Sequence, residues 1–379
     1  MSSSPRVLII PSWYPSPGDL TAGVFIAQQV RALSLHVEVA VLHVDAGARD
    51  AAIEVTAQDG ITVVRTGLSA SGLYGRYFGY RRAGLGGFER LREVWGDPDI
   101  VHVQALWPAG LVARAIRRRH GIPYVVTEHS EEYLAASERR LVRTPGMLPM
   151  VLRPLARGAA RTIVVSRFLG DRLSELGLAS DPVVVPNVVP VCPPQPVCIQ
   201  IPHVISHVSV MGPAKNLIGL VRAVDKLRTQ RSDFRVRLVG DGESRAEAER
   251  LTESLYLGGT VEFVGRKSPD DVRELLRSVA FTVISSTHET FSVSAAESLM
   301  CGRPVLSTRC GGPEEFITPE VGRLVEAGSV DALVGGLDWM LDHYTEFDPQ
   351  ALHEYARARF APDVVASQIL EVYREVLDA

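Results

Sequence analysis

The chain alternates short runs of β-branched and apolar residues with longer stretches of helical period, and it does so in two successive sets. The first set is "RVLII", "VEVAVLHV", "IVHVQ", "PYVVT" and "TIVV"; the second is "HVISHVS", "RVRLVG", "VEFVG", "AFTVI" and "PVLST". Runs apolar on both sides cannot face water, so each set needs helices on both faces of a parallel sheet. The pattern predicts an α/β fold of two doubly wound Rossmann-like domains. A length of 379 residues, too great for one ordinary core, agrees. Between the sets lies "VVVPNVVPVCPPQPVCIQIP", Val183 to Pro202, whose six prolines break regular structure and stiffen a connection. Residues 1–190 are thus predicted as one domain, 191–202 as a hinge and 203–360 as the second domain. Open α/β sheets bind ligands at the carboxyl ends of their strands, so two such sheets predict a ligand in a central cleft between them.

Charge is split unevenly. Residues 1–190 carry a net +4 and residues 191–379 a net −8. Neither half is basic enough to suggest nucleic acid. The cluster "RAIRRRHG", Arg114 to Gly121, reads either as an exposed helix face or as a surface for an anionic acceptor or membrane. No apolar run approaches the roughly 18–20 residues of a membrane span, and the N-terminus does not read as a signal peptide. Cys192, Cys198, Cys301 and Cys310 show neither metal nor disulfide spacing, so reduced thiols in a cytoplasm are expected. The Gly/Tyr/Arg-rich stretch "GLYGRYFGYRRAGLGG", Gly72 to Gly87, reads as a long binding or lid loop.

Chemistry concentrates in "HETFSVSAAESLMCGRPVLST", His288 to Thr308. A buried strand precedes it, and "FSVSAAESLMCG" reads as a helix ending at Gly302. The first turn of that helix would present free N–H groups and a dipole end of about +0.5 charge, a site suited to a phosphate. Glu289 stands just before the helix and Glu297 about two turns in, so each could accept hydrogen bonds from a polyol. A nucleotide diphosphate sugar would satisfy both, but two solvent-exposed acids on a helix remain an equal reading of the residues.

The stretch "HETFSVSAAESLMCGRPVLSTRCGGPEEFI" resembles the E-x(7)-E block of retaining glycosyltransferases of family 4, which have the GT-B fold. Further segments resemble that family in the same order: "PSWYPSPGDLTAGVFIAQQVRAL", "DIVHVQALWPAGLVARAIRRRHGIPYVVTEH", "VSRFLGDRL", "KNLIGLVRAVDKL" and "RVRLVGDGE". The resemblance implies that Glu289 holds the donor sugar's hydroxyls, Glu297 the ribose, and the amides near Phe291, Ser292 and Val293 the distal phosphate. Lys215 would neutralise the departing diphosphate, Gly23 would let backbone approach the donor, and His129 would sit beside the transferring sugar. Glu289, His129 and Lys215 are thus the expected catalytic residues, and Gly240, Gly242, Arg266 and Thr290 complete the donor site. Trp13, Tyr14, Tyr77, Arg81 and Trp107 are the expected acceptor contacts. The last segment, 361–379, is implied to return as a helix to the first domain.

One departure concerns charge. The family's arginine a few residues before the lysine is missing, since "SVMGPAK" has Ser209 to Met211 there; Arg266 or Lys267 are the candidate substitutes. The sequence "DPD", Asp97 to Asp99, matches a metal-holding pattern of another transferase fold but reads as turn chemistry. No metal and no cofactor are expected beyond the nucleotide sugar as co-substrate. The expected activity is transfer of a hexosyl group, with retention, to a hydroxyl acceptor that is a polysaccharide, glycolipid or small molecule. Its setting would be cytoplasmic, with possible peripheral membrane contact. A nucleotide-sugar epimerase of the same fold and a non-catalytic sugar-binding module stay open as alternatives.

Overall fold

A computed structural model describes residues 4–16, 19, 22–45, 52–68, 72–134, 144, 146–194 and 203–379, with the backbone alone at 72–76. Two compact units emerge: Met1–Val188 with Pro362–Ala379, and Val189–Ala361.

The first unit holds strands β1 (Arg6–Pro11), β2 (Glu38–Asp45), β3 (Ile53–Gln58), β4 (Ile61–Gly67), β5 (Ile100–Gln104), β6 (Tyr124–Glu128), β7 (Arg161–Val164) and β8 (Val183–Val184). Their order in the sheet is β3-β4-β2-β1-β5-β6-β7-β8. All neighbours are parallel except β3, which pairs antiparallel with β4 through the Asp59–Gly60 turn. The sequence reading of purely parallel sheets overlooked this hairpin, although an Asp-Gly pair between apolar runs is its ordinary signal. Helices α1 (Val24–Ser34), α2 (Gly72–Val94), α3 (Gly110–His120), α4 (Arg153–Ala156) and α5 (Arg167–Glu175) connect the strands.

Helix α2 corrects the expectation of a loop at 72–87. Tyr80, Leu85, Phe88 and Leu91 are buried at helical spacing. Gly84 and Gly87 are there for close packing: a Cβ on Gly84 would collide with Val112, and one on Gly87 would lie 2.6 Å from Leu42 and Thr66. Glycines that usually mark turns here let a helix approach the sheet and α3.

The second unit holds β9 (His203–Val210), β10 (Phe234–Asp241), β11 (Val261–Gly265), β12 (Phe281–Ile284), β13 (Val305–Thr308) and β14 (Gly322–Val325). The order β11-β10-β9-β12-β13-β14 is parallel throughout. Helices α6 (Leu217–Arg228), α7 (Arg245–Ser254), α8 (Pro269–Ser278), α9 (Val293–Met300), α10 (Val330–His343) and α11 (Pro349–Phe360) belong to it. Its core joins Ile205, Val236, Phe281 and Leu306 from the sheet to Leu220, Val224, Leu333 and Leu337 from helices. Each such buried side chain contributes about 1.5–3 kcal/mol.

The last helix, α12 (Pro362–Leu377), belongs to the first unit. Val365, Ala366, Ile369, Val372 and Tyr373 form its buried stripe, packed with Val7, Ile9 and Val125 of the sheet and Val30 of α1. Of the expected hinge, residues 195–202 lie outside the described residues, Cys198 among them. No helix among the described residues is long and apolar enough to cross a membrane.

Candidate active site

In the second unit the chain leaves β9 toward β10 and leaves β12 toward β13. Loops that diverge in this way open a crevice at the carboxyl edge of the sheet. Lys215 comes from the loop after β9, in a single turn Pro213–Lys215 that ends at Asn216 in the left-handed region (φ 51°). The Asn216 side chain accepts the Gly219 N–H and caps α6. Glu289 comes from the loop after β12. Its own main chain is held by Glu289 N–H to Cys310 O (2.7 Å) and by Gly312 N–H to Glu289 O (3.0 Å). Lys215 Nζ donates to Glu289 Oε1 at 2.8 Å, and Ser286 Oγ donates to the same oxygen at 2.8 Å. The two loops are further stitched by Ser285 Oγ to Lys215 O and Thr287 N–H to Ala214 O, each 2.8 Å. Both of these donors converge on Oε1, which fixes that oxygen of the carboxylate. Beneath the pair, His207 donates from Nδ1 to Val283 O and accepts at Nε2 from Ser209 Oγ. Burial pushes His207 down to about 4, so it is neutral near pH 7.

Helix α9 begins beside this pair. Its first residue outside the helix, Ser292, has φ 72° and ψ 83° and makes no side-chain cap. A left-handed serine costs of order 1 kcal/mol or more, and such residues cluster at ligand sites. No side chain caps the first-turn amides, which begin four residues after Glu289 in the chain. Phe291 contributes only backbone: its ring is buried against Phe316 (5.3 Å) and Phe360 (5.5 Å). Thr290 is held close to Gly312, where any Cβ would strike the Thr290 carbonyl. Glu297 lies on α9, and burial raises its carboxyl to about 7 against the opposing charge of Arg273. Neither Glu289 nor Glu297 is exposed, so the reading of two solvated acids on a helix is set aside.

Gly240 lies near the end of β10, the strand beside β9, and Gly242 just past it; a Cβ on Gly240 would collide with the Ser209 carbonyl. Arg266, just past β11, is 56% exposed and 3.8 Å from Asp241 Oδ2. Where the family's arginine is missing, Met211 is fully buried.

In the first unit the equivalent reversal falls between β1 and β5. A cavity of about 510 Å³ opens there, lined by Trp13 and Tyr14 after β1, Trp107 after β5, Tyr77 of α2, and His43 and Asp45 of β2. Four of the five expected acceptor contacts therefore meet in one cavity. Arg81 is not among its lining residues. Gly23 (φ 63°) packs against the Trp13 carbonyl, where a Cβ would collide, so its nearest business is with Trp13.

His129 follows β6 and is only 8% exposed. Its Nε2–H donates to Gln104 Oε1 (2.7 Å), and the Gln104 amide donates to Gln29 Oε1 (2.5 Å) and His102 Nε2 (3.2 Å). His102 Nδ1 then meets Tyr373 Oη of α12 at 2.6 Å. Burial pushes both histidines down to about 3, against a hydrogen bond with Asn187 in the case of His129. The His129 ring is thus neutral and engaged, not poised to exchange protons. The neighbouring Glu128 accepts the N–H groups of Leu106 (2.9 Å), His129 (2.8 Å) and Ser130 (2.9 Å), fixing the loops after β5 and β6.

Ser285, Ser286, His207, Gln104 and Glu128 were missed by sequence reasoning. Only "SST" before "HET" offered a signal, a run of small donors at a strand end. Asp97 pairs with Arg92, and Asp99 accepts the Arg6 N–H at 2.7 Å. No cluster of three metal-ligating side chains occurs among the described residues.

Comparison with known proteins adds the family. A model described as "Glycosyl transferases group 1" matches residues 200–359, and one described as "Glycosyl transferase 4-like domain" matches residues 22–188. The MMP alpha-(1->4)-mannosyltransferase of Mycolicibacterium hassiacum is 28% identical over 300 residues, 74% of this chain and 72% of that protein. Two other relatives align over 58% and 46% of their own lengths. Among solved structures, a sucrose-phosphate synthase from Thermosynechococcus elongatus superposes with TM-score 0.81 at 21% identity, covering 98% of this chain and 99% of that one. Anabaena HepE in complex with UDP-glucose gives TM-score 0.74 at 18% identity, covering 98% and 100%.

Proposed function

The chain belongs to the group 1 glycosyl transferases, with the GT-B fold, and on that premise we propose that it moves a hexosyl group from a nucleotide-diphosphate sugar to a hydroxyl acceptor with retention. The observation that carries this reading is the Lys215–Glu289 pair at the strand-order reversal, beside the uncapped start of α9. The amides at Ser292 and Val293 and the Lys215 ammonium would take the diphosphate, where most charge develops as the donor breaks. Fixed donors of this kind are the usual large term in such reactions. Glu289 Oε2 would accept from the donor sugar and Glu297 from the ribose, with Gly240, Gly242 and Arg266 bordering the nucleotide.

Retention without a covalent intermediate is favoured by the state of Glu128, the carboxylate next to His129 in the first unit. Glu128 already accepts three backbone N–H groups and is buried, so it is a poor nucleophile. The departing phosphate would then assist attack of the acceptor hydroxyl on the same face of the sugar. Once bound, the acceptor would lie against Trp13, Tyr14, Tyr77 and Trp107, with His129 acting through its position. UDP-glucose in the HepE complex makes uridine sugars the first donors to try. Thermal melts with a panel of nucleotide sugars test the reading. A donor at 100 times its Kd adds about 2.7 kcal/mol of stability, and a panel in which none raises the melting temperature contradicts it.

A further inference from the structure

We propose that Cys192 and Cys301 are a peroxide-sensitive thiol pair, which closes to a reversible disulfide and staples residues 189–194 to the C-terminal end of α9.

The two cysteines stand 109 positions apart, where no spacing rule joins them, yet both belong to the second unit. Cys301 Sγ–H donates to Cys192 Sγ at 2.8 Å, and Arg277 Nε–H donates to the same sulfur at 3.2 Å. A disulfide of about 2.05 Å therefore needs the sulfurs to close by less than an ångström. The backbone around them is already in contact. Cys301 caps α9, its N–H donating to Glu297 O at 3.0 Å. A Cβ on the next residue, Gly302, would lie 2.8 Å from Pro194 Cβ, so the segment carrying Cys192 rests on that helix end. Val189 N–H, at the start of the segment, donates to Phe360 O of α11 at 2.8 Å.

Only a thiolate attacks an oxidant at a useful rate. The hydrogen bond from Cys301, together with the Arg277 guanidinium, holds Cys192 below the ordinary thiol range, whereas that same bond and burial push Cys301 up. Cys192 is thus the attacking sulfur and Cys301 the resolving one. Cys310 is pushed up to about 12 by burial and stays protonated. Cys192 is buried, but its neighbours Val191 and Pro193 are exposed, so a local opening of this strip uncovers the sulfur to a small oxidant.

Hydrogen peroxide is such an oxidant. The Cys192 thiolate attacks one peroxide oxygen; an S–O bond forms, the O–O bond breaks and hydroxide leaves. The Cys301 sulfur then attacks the Cys192 sulfenic acid. The S–S bond forms, the S–O bond breaks, and the Cys301 proton departs with the hydroxyl as water. The thiol pair loses two electrons to the peroxide, and an added thiol reductant returns them. Because α9 also carries Glu297, the staple bears on a helix that the transferase reading assigns to the donor.

The full-length protein is reduced, desalted and titrated with hydrogen peroxide, and its peptides are mapped without reduction. A Cys192–Cys301 cross-link should appear before Cys310 is modified, in the wild type and in Cys198→Ser alike, and dithiothreitol should remove it. In Cys301→Ala a sulfenic-acid trap such as dimedone should label Cys192, while in Cys192→Ala it should leave Cys301 unlabelled. The oxidised wild type should melt about 5 °C or more above the reduced protein, as closure of a long loop requires. Should either alanine variant fail to fold, the wild-type map and melt still decide. Over-oxidation of Cys192 without a cross-link overturns the proposal, as does a link from Cys192 to Cys198 or a cross-link that leaves the melting temperature unchanged. None of these measurements involves a nucleotide, so their failure leaves the transferase reading untouched, and a protein that binds no nucleotide sugar leaves this inference untouched.

Discussion

Lys215 Nζ donates to Glu289 Oε1 across 2.8 Å, joining the loop after β9 to the loop after β12 where strand order reverses. The side chains are 19% and 12% exposed, so the pair is shielded but open to a ligand. An incoming diphosphate must share the ammonium with this carboxylate, and that competition gives the site a testable signature.

Removing the carboxylate's charge should split binding from turnover. Glu289→Gln removes the carboxylate charge that competes for the Lys215 ammonium, so UDP should bind severalfold more tightly while kcat falls at least tenfold. Calorimetry with UDP and steady-state rates check both halves. Weaker UDP binding together with an unchanged kcat would show that the pair is structural.

Lys215→Ala should lower kcat by about 10²–10³, the usual cost of one electrostatic contact to a transition state. Lys215→Arg should recover only part, because a planar fork places its donors differently from a point charge. If Arg266 shares the load, the double substitution will depart from additivity, as coupled sites do. A Lys215→Ala enzyme with unaltered kcat and donor KM removes this lysine from the mechanism.

Glu297 predicts a pH dependence. Burial raises its carboxyl to about 7, above its ordinary 4.5, so the folded protein holds a proton that the unfolded chain has lost. The stability this proton contributes is full below about pH 4.5 and is lost as pH rises through about 7. Glu297→Gln should therefore raise the melting temperature more at pH 8 than at pH 5. If ribose hydroxyls need the carboxylate form, donor affinity should also weaken in the wild type from pH 8 to pH 6. A flat donor Kd over that range argues that Glu297 does not meet the ribose.

How much of this was legible beforehand varies with the physics involved. The strands before Lys215 and Glu289 could be read because buried parallel strands need continuous β-branched runs, and "HVISHVS" and "AFTVI" have them. Helix α2 could not, since Gly84 and Gly87 serve contacts with Val112, Leu42 and Thr66 that lie far away in sequence. The burial of His129 was equally hidden: its Gln104 partner lies 25 residues back and follows no local spacing rule. Trp13, Tyr14, Tyr77 and Trp107 were named as acceptor contacts, but that they share one cavity is a property of the β1/β5 reversal.

The buried polar chain from His129 to Tyr373 yields a positioning test. Gln104→Leu should lower kcat about tenfold with little change in donor KM, because it removes the partner that orients His129. Nitrogen NMR should find the His129 proton on Nε2 in the wild type and a mixed tautomer in the variant. An Nδ1 proton in the wild type contradicts the hydrogen-bond assignment.

Acid should destabilise the fold through its buried histidines. His43, His102, His129 and His207 are pushed down to about 3–4 by burial, below their ordinary 6.5. Their stability is present above about pH 6.5 and lost as pH falls toward 4, where the unfolded chain binds the extra protons. Denaturant midpoints should drop steadily over that window, and His102→Gln should flatten the slope. A variant with the wild-type slope would show that His102 does not contribute.

The central claim is retaining transfer from a nucleotide sugar, and proton NMR of the reaction as it proceeds tests it most directly. The protein is incubated with UDP-glucose and related donors plus the methyl hexopyranosides, and the first anomeric signal of the product is followed. The account predicts a new glycoside with the donor's α configuration, formed only when the acceptor is present. A β-configured product, or conversion of the nucleotide sugar to its epimer without any acceptor, would contradict it.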